Sequence, residues 1–177
     1  MKRGFLACGG LLILMLLGGC SRPSTSGTNP ALETPTPAAE VRSSADVVKV
    51  HPATVSIEAG GNAQGTVTLA ISSGFHVNAN PATFPYLIPT EITPGKIDGI
   101  NVGKPVYPPG AKKQFKFADE PLAVYEGDAQ IKLPVRAEKS VKPGVISMPL
   151  NVRVQACDHE QCFPPVNLNA KISIDVK

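Results

Sequence analysis

An all-β fold of antiparallel strands is what this sequence predicts, and three observations carry the prediction. Apolar residues alternate in four runs: Val67, Leu69 and Ile71; Ala129 to Ala137 through Ile131, Leu133 and Val135; Ile146 to Val154 through Met148, Leu150 and Val152; and Ala170 to Val176 through Ile172 and Ile174. Lys132, Arg136, Asn151, Arg153, Lys171, Ser173 and Asp175 take the opposite phase, as on a sheet with one solvated face. Turn residues punctuate the chain at Pro94-Gly95, Pro108-Pro109-Gly110 and Pro143-Gly144. Strands returning through turns at such intervals predict a two-sheet sandwich of immunoglobulin-like type in preference to a closed barrel. The sequence has no Trp to pack across the sheets, and its closely spaced cysteines cannot bridge them.

Ahead of the strands the chain reads as an export signal and a tether. Lys2 and Arg3 precede an apolar run from Leu11 to Leu17 that breaks at Gly18-Gly19, too short for a permanent span of about 20 residues. Leu17-Gly18-Gly19-Cys20 resembles the lipobox of bacterial lipoproteins, so residues 1–19 are expected to be removed and Cys20 to carry the acyl chains. Cys8 falls in the discarded part. Residues 20–45 are rich in Ser, Thr, Pro and Ala, cannot bury enough surface to fold, and are expected to be a disordered linker with a reach of roughly 25–30 Å. Ser21 resembles the residue that directs many lipoproteins to the outer membrane, which is favoured over the inner one.

Charge excludes one class of function. The full chain carries 17 basic and 14 acidic residues, and loss of Lys2 and Arg3 leaves it nearly neutral. With no basic cluster or tail, nucleic-acid binding has no electrostatic footprint. Phosphate-cradling glycine loops, Gly-x-Ser-x-Gly elbows and His-Glu-x-x-His helices are also absent from the sequence.

The domain is expected over residues 46–177, with its chemistry in the segment that follows the third patterned strand, Ala156-Cys157-Asp158-His159-Glu160-Gln161-Cys162-Phe163-Pro164-Pro165. The cysteines fall where the strand ends and the chain turns, which predicts that both thiols lie near the surface. Four intervening residues let their Cα atoms approach to about 5.5 Å, and an exported protein meets an oxidising compartment. Asp158 and Glu160 raise the pKa of a nearby thiol, whereas a protonated His159 lowers it. Two readings stand level at this point: a pair for thiol–disulfide exchange, and a staple worth about 2 kcal/mol. A third, in which Cys157, His159 and Cys162 hold a metal with His76 or Met148, has no standard zinc spacing, and neither metal nor other cofactor is expected. His51 has no visible partner and is expected on the surface.

Gly127 to Pro165, with Leu133-Pro134-Val135 and Cys157 through Cys162-Phe163-Pro164-Pro165, resembles the amino-terminal periplasmic domain of the thiol–disulfide interchange protein DsbD. Gly74-Phe75-His76-Val77-Asn78-Ala79-Asn80 and Ile88-Pro89-Thr90-Glu91 resemble further signatures of that family, so the likeness spans about residues 47–177. The resemblance implies an immunoglobulin-like sandwich in which Cys157 and Cys162 take electrons from a membrane donor and pass them to oxidised periplasmic thiol proteins. It also implies a loop that caps the cysteines, matching Phe117 to Leu122, where Asp119 and Glu120 temper reactivity. Two departures stand out: well-known members have one more residue between the cysteines and an aromatic cap where Pro121 and Leu122 fall. The family's longer proteins continue into a membrane conduit and a thioredoxin-like domain, so a separate reductant is expected here. The alternative is a non-enzymatic envelope binding module with a structural disulfide.

Overall fold

The computed structural model describes residues 43–177; the expected export signal, the expected acylation site Cys20 and the expected linker up to Arg42 lie outside the described residues. One helical turn, α1 (Ser44–Val47), precedes twelve strands. Its start is fixed by a capping box: the Ser43 hydroxyl accepts the Ala45 N–H, and the Asp46 carboxylate accepts the Ser43 N–H at 2.9 Å. Among the described residues no helix is long and apolar enough to cross a membrane.

The long strands follow the alternation in the sequence. β1 (Val48–Pro52), β3 (Asn62–Ile71), β9 (Asp128–Ala137) and β6 (Ile100–Val102) lie side by side in that order, and β2 (Val55–Ile57), β12 (Val166–Val176), β10 (Gly144–Val154) and β5 (Glu91–Pro94) form a second sheet. Register sets apolar residues opposite one another: Val67 against Ile131, Leu69 against Ala129, and Met148 against Ile172. A slip of one residue would turn every one of these side chains to water, so the pairing is strongly specified. Val67, Leu69, Ile131, Leu133, Met148, Leu150, Ile172 and Ile174 are all buried in one core, each contributing about 1.5–3 kcal/mol relative to exposure. The result is the immunoglobulin-like β-sandwich that the periodicity predicts. One edge departs from the antiparallel rule: β2 leaves β1 after Ala53 and Thr54, joins the other sheet and runs parallel to β12.

A third sheet, absent from the periodicity, carries the site. β11 (Ala156–Cys157), β4 (His76–Asn78), β8 (Leu122–Tyr125) and β7 (Ala111–Lys113) are ordered side by side. Each has two to four residues, and all three residues of β4 are buried, so no alternation marks it. Gly74 sets its entry: at φ +85° it completes the turn in which the Phe75 N–H meets the Ser72 carbonyl at 3.1 Å.

Candidate functional site

After β10 a single residue, Gln155, takes the chain from the second sheet into the third, where residues 156–163 close a tight hairpin. The Phe163 N–H donates to the Ala156 carbonyl at 2.8 Å and the Asp158 N–H to the Gln161 carbonyl at 2.9 Å. Between these two bonds Cys157 and Cys162 face each other as a bridge pair joined by a disulfide with S–S 2.01 Å and Cα–Cα 3.9 Å. The short Cα distance follows from the pairing: antiparallel residues that do not exchange hydrogen bonds approach more closely, to about 4.5 Å. Asp158 holds the turn, its Oδ1 accepting the Glu160 N–H at 2.7 Å and the Gln161 N–H at 2.8 Å. Those bonds hold its carboxyl below the ordinary aspartate value.

The two sulfur-bearing residues are not equivalent. Cys162 is exposed, whereas Cys157 is only 1 % exposed, so the expectation that both thiols lie near the surface holds for Cys162 alone. Cys157 belongs to a strand and is backed by β4; Cys162 stands on the outer arm of the hairpin. His159 and Glu160 are exposed at the turn, and the half-buried Phe163 ring meets Phe75 at 6.0 Å.

His76 of β4 lies directly across from Cys157. Its ring stacks on Phe115 at 4.0 Å and an interplanar angle of 18°, and Phe115 stacks in turn on Phe117 at 5.3 Å. Burial is the main reason that the His76 pKa falls to about 4; Glu126 and Asp158 work against it and His159 reinforces it. A cleft of about 440 Å³ opens beside His76 and His159, and includes the Lys113–Glu126 ion pair of 3.0 Å.

The loop between β7 and β8 supplies the aromatic groups. The Gln114 side-chain amide donates to the Ala118 carbonyl at 2.6 Å and the Ala118 N–H to the Phe115 carbonyl at 3.2 Å, which folds the loop over Phe115. Phe115 is buried with Leu122 and Val124 against Phe84 and Leu87, while Phe117 stays exposed. Thus aromatic rings occur a few residues before Pro121 and Leu122, and Leu122 is a buried strand residue. Asp119 and Glu120 are exposed in this loop. Met148 lies in the sandwich core and His51 on the exposed side of β1. Among the described residues no group of three or more His, Cys, Asp or Glu side chains is placed to hold a metal ion.

Ser44 is a site residue that composition concealed. Fully buried, its hydroxyl accepts the Ala156 N–H and donates to the Pro164 carbonyl, both at 2.9 Å, tying the two arms of the hairpin to α1. Ser44 and Ala45, which the Ser- and Ala-rich composition assigns to the tether, therefore belong to the folded chain. Ser44→Ala leaves the buried Ala156 N–H without its acceptor and is expected to cost about 1–2 kcal/mol in chemical denaturation. An unchanged denaturation midpoint would mean that another group takes its place.

Fold and site together define a class: an immunoglobulin-like domain that presents one cysteine of a disulfide to solvent and buries the other. Residues 44–173 match the family model described as thiol:disulfide interchange protein DsbD, N-terminal, and the chain belongs to that family. Solved structures similar to it include the DsbD N-terminal domain of Neisseria meningitidis in the reduced form, 21 % identical over 63 % of this chain and 77 % of that one, with a TM-score of 0.43. The complex between the DsbD N-terminal and PilB N-terminal domains of the same organism is matched at 20 % identity over 61 % and 73 % of the two chains, TM-score 0.42. The N-terminal periplasmic domain of ScsB from Proteus mirabilis is matched at 11 % identity over 73 % of this chain and 47 % of that one, TM-score 0.45. No curated protein matches the sequence.

Proposed function

We propose that this chain is a thiol–disulfide oxidoreductase of the protein-disulfide reductase type, held in the bacterial cell envelope and facing the periplasm. It relays electrons from a membrane reductase to oxidised envelope proteins. The observation that carries the reading is the unequal exposure of the pair, with Cys162 outside and Cys157 beneath it. In the reduced protein the Cys162 thiolate attacks a partner's disulfide, displacing one partner sulfur as thiolate and forming a mixed disulfide. Cys157 then attacks the Cys162 sulfur, releases the second partner sulfur as thiolate and closes the internal bond. To restore the dithiol, one thiolate of a membrane donor dithiol attacks Cys162 and releases Cys157 as thiolate. The donor's second thiolate then attacks the donor sulfur of that mixed disulfide, releasing Cys162 as thiolate and leaving the donor oxidised. Acyl chains on Cys20 anchor the protein, with the outer membrane favoured, and residues 20–42 serve as the linker to the domain. Asp158, His159, Glu160 and Phe163 border the pair on the hairpin, and Asp119 and Glu120 temper its reactivity from the loop between β7 and β8.

The reduction potential of the pair, measured by equilibration with dithiol buffers and thiol counting, tests the proposal. A value above about −250 mV marks a labile pair fit for exchange, and a value below about −300 mV marks a structural staple in a binding module. Cys157→Ser removes the resolving sulfur, so the variant is expected to accumulate a dithiothreitol-sensitive adduct with an added oxidised dithiol protein through Cys162. Failure to form the adduct would count against exchange.

A further inference from the structure

Among the described residues two buried side-chain atoms have no hydrogen-bond partner, His76 Nε2 and Asn78 Oδ1, and both belong to β4 beside Cys157. Buried polar atoms are paired as a rule, so an exception next to a reacting sulfur calls for a function. Asn78 is anchored at its other end, since its Nδ2 donates to the Ile88 carbonyl at 3.0 Å. The His76 atom is different in kind, because the position opposite it changes charge during exchange. Directly opposed antiparallel residues project to the same face with Cβ atoms about 5 Å apart. Phe115 pins the imidazole from one side at 4.0 Å, and His76 is only 2 % exposed, so bulk solvent has little access to this nitrogen.

An intact disulfide asks little of a neighbouring donor. When a partner thiolate attacks the exposed Cys162 sulfur, the old S–S bond breaks and its electron pair leaves on Cys157, one of the most buried residues of the site. A thiolate there has lost its hydration, which raises the pKa of the thiol and makes it a poorer leaving group. Beside His76 the Glu126 and Asp158 carboxylates carry the same sign as the departing sulfur, and Lys113, which lines the same cleft, is already committed to Glu126. We infer that His76, as the neutral tautomer protonated at Nε2, donates a hydrogen bond to the Cys157 sulfur once the disulfide opens, making Cys157 the stabilised leaving group and resolving thiolate. No proton is transferred in this step: one S–S bond forms to Cys162 as the other breaks, and the donor only solvates the departing charge. The inference rests on the proposed exchange chemistry for its purpose, but the hydrogen bond can be measured without any partner.

In the full chain carrying Cys162→Ser, the Cβ carbon-13 shift of Cys157 followed against pH reports its pKa directly. Adding His76→Phe keeps a ring against Phe115 and removes the donor, and the midpoint is expected to rise by about one unit. His76→Gln returns an N–H at a similar reach and is expected to recover part of that shift. In the unsubstituted protein the Nε2 nitrogen-15 resonance of His76 should move on reduction of the disulfide, a readout that needs no variant. An unmoved midpoint in His76→Phe, a His76→Gln chain that titrates like His76→Phe, or a His76 resonance unaffected by reduction would each overturn the inference. Failure of exchange itself would instead appear as a potential below about −300 mV, with the Cys157 titration still readable.

Discussion

With Cys8→Ala and Cys20→Ala in both proteins, the Cys157 thiol of Cys162→Ser is expected to react with a water-soluble aromatic disulfide about a hundredfold more slowly than the Cys162 thiol of Cys157→Ser. Cys162 stands exposed on the outer arm of the hairpin, and reagent reaches it in the folded state. Cys157 is only 1 % exposed, paired to His76 in a sheet, and held from behind by the Ser44 hydroxyl on the Ala156 N–H. Reaction there waits on local opening, and a hundredfold penalty corresponds to an opening free energy of about 2.7 kcal/mol, modest for a peripheral two-residue strand. The rates are read from release of the chromophoric thiol at one pH. Equal rates would show that the hairpin opens freely, and the division of labour between an attacking and a resolving cysteine would lose its basis. Ser44→Ala in the Cys162→Ser background should narrow the gap, because it releases both hairpin arms from α1.

How much of this was legible in the sequence depended on how far each feature reaches along the chain. β9, β10 and β12 run for ten or eleven residues with one solvated face, so alternation alone gives their phase, and Leu133, Met148 and Ile172 are buried as that phase predicts. β4 to β8 have three or four residues each, too few for any period to emerge, and β4 is buried along its whole length. The cysteine pair was visible because its partners are five positions apart. Its asymmetry was not, since the burial of Cys157 comes from β4, some eighty residues earlier, and from a loop that brings Phe115 onto His76. Ser44 was hidden for a different reason: a serine in a Ser-rich stretch gives no local sign that its hydroxyl meets a backbone amide 112 positions away. What composition identifies is the kind of chemistry, while the environment that decides which sulfur does what is assembled by long-range pairing.

The oxidised protein is also expected to lose stability as pH falls from about 6.5 to about 4, with His76 as the cause. Burial lowers its pKa to about 4 in the folded chain, whereas the unfolded chain restores the ordinary value of about 6.5. Between those values the unfolded state binds more protons than the folded one, so unfolding free energy rises with pH across the window and falls on acidification. The full effect, reached below both values, is about 3 kcal/mol, a substantial part of the stability of an ordinary domain. Asp158 acts in a lower window and in the carboxylate sense: its depressed pKa contributes stability above the ordinary aspartate value of about 3.9, lost as pH falls through the folded one. The two windows separate the groups. Urea titrations at several pH values across the upper window should show the slope in the native sequence and its disappearance in His76→Phe, whatever the absolute stability of that variant. A slope of the same size in both would assign the proton uptake elsewhere, whereas its loss would establish that the residue opposite Cys157 is neutral when the domain is folded, the state from which an N–H can be donated to the departing sulfur.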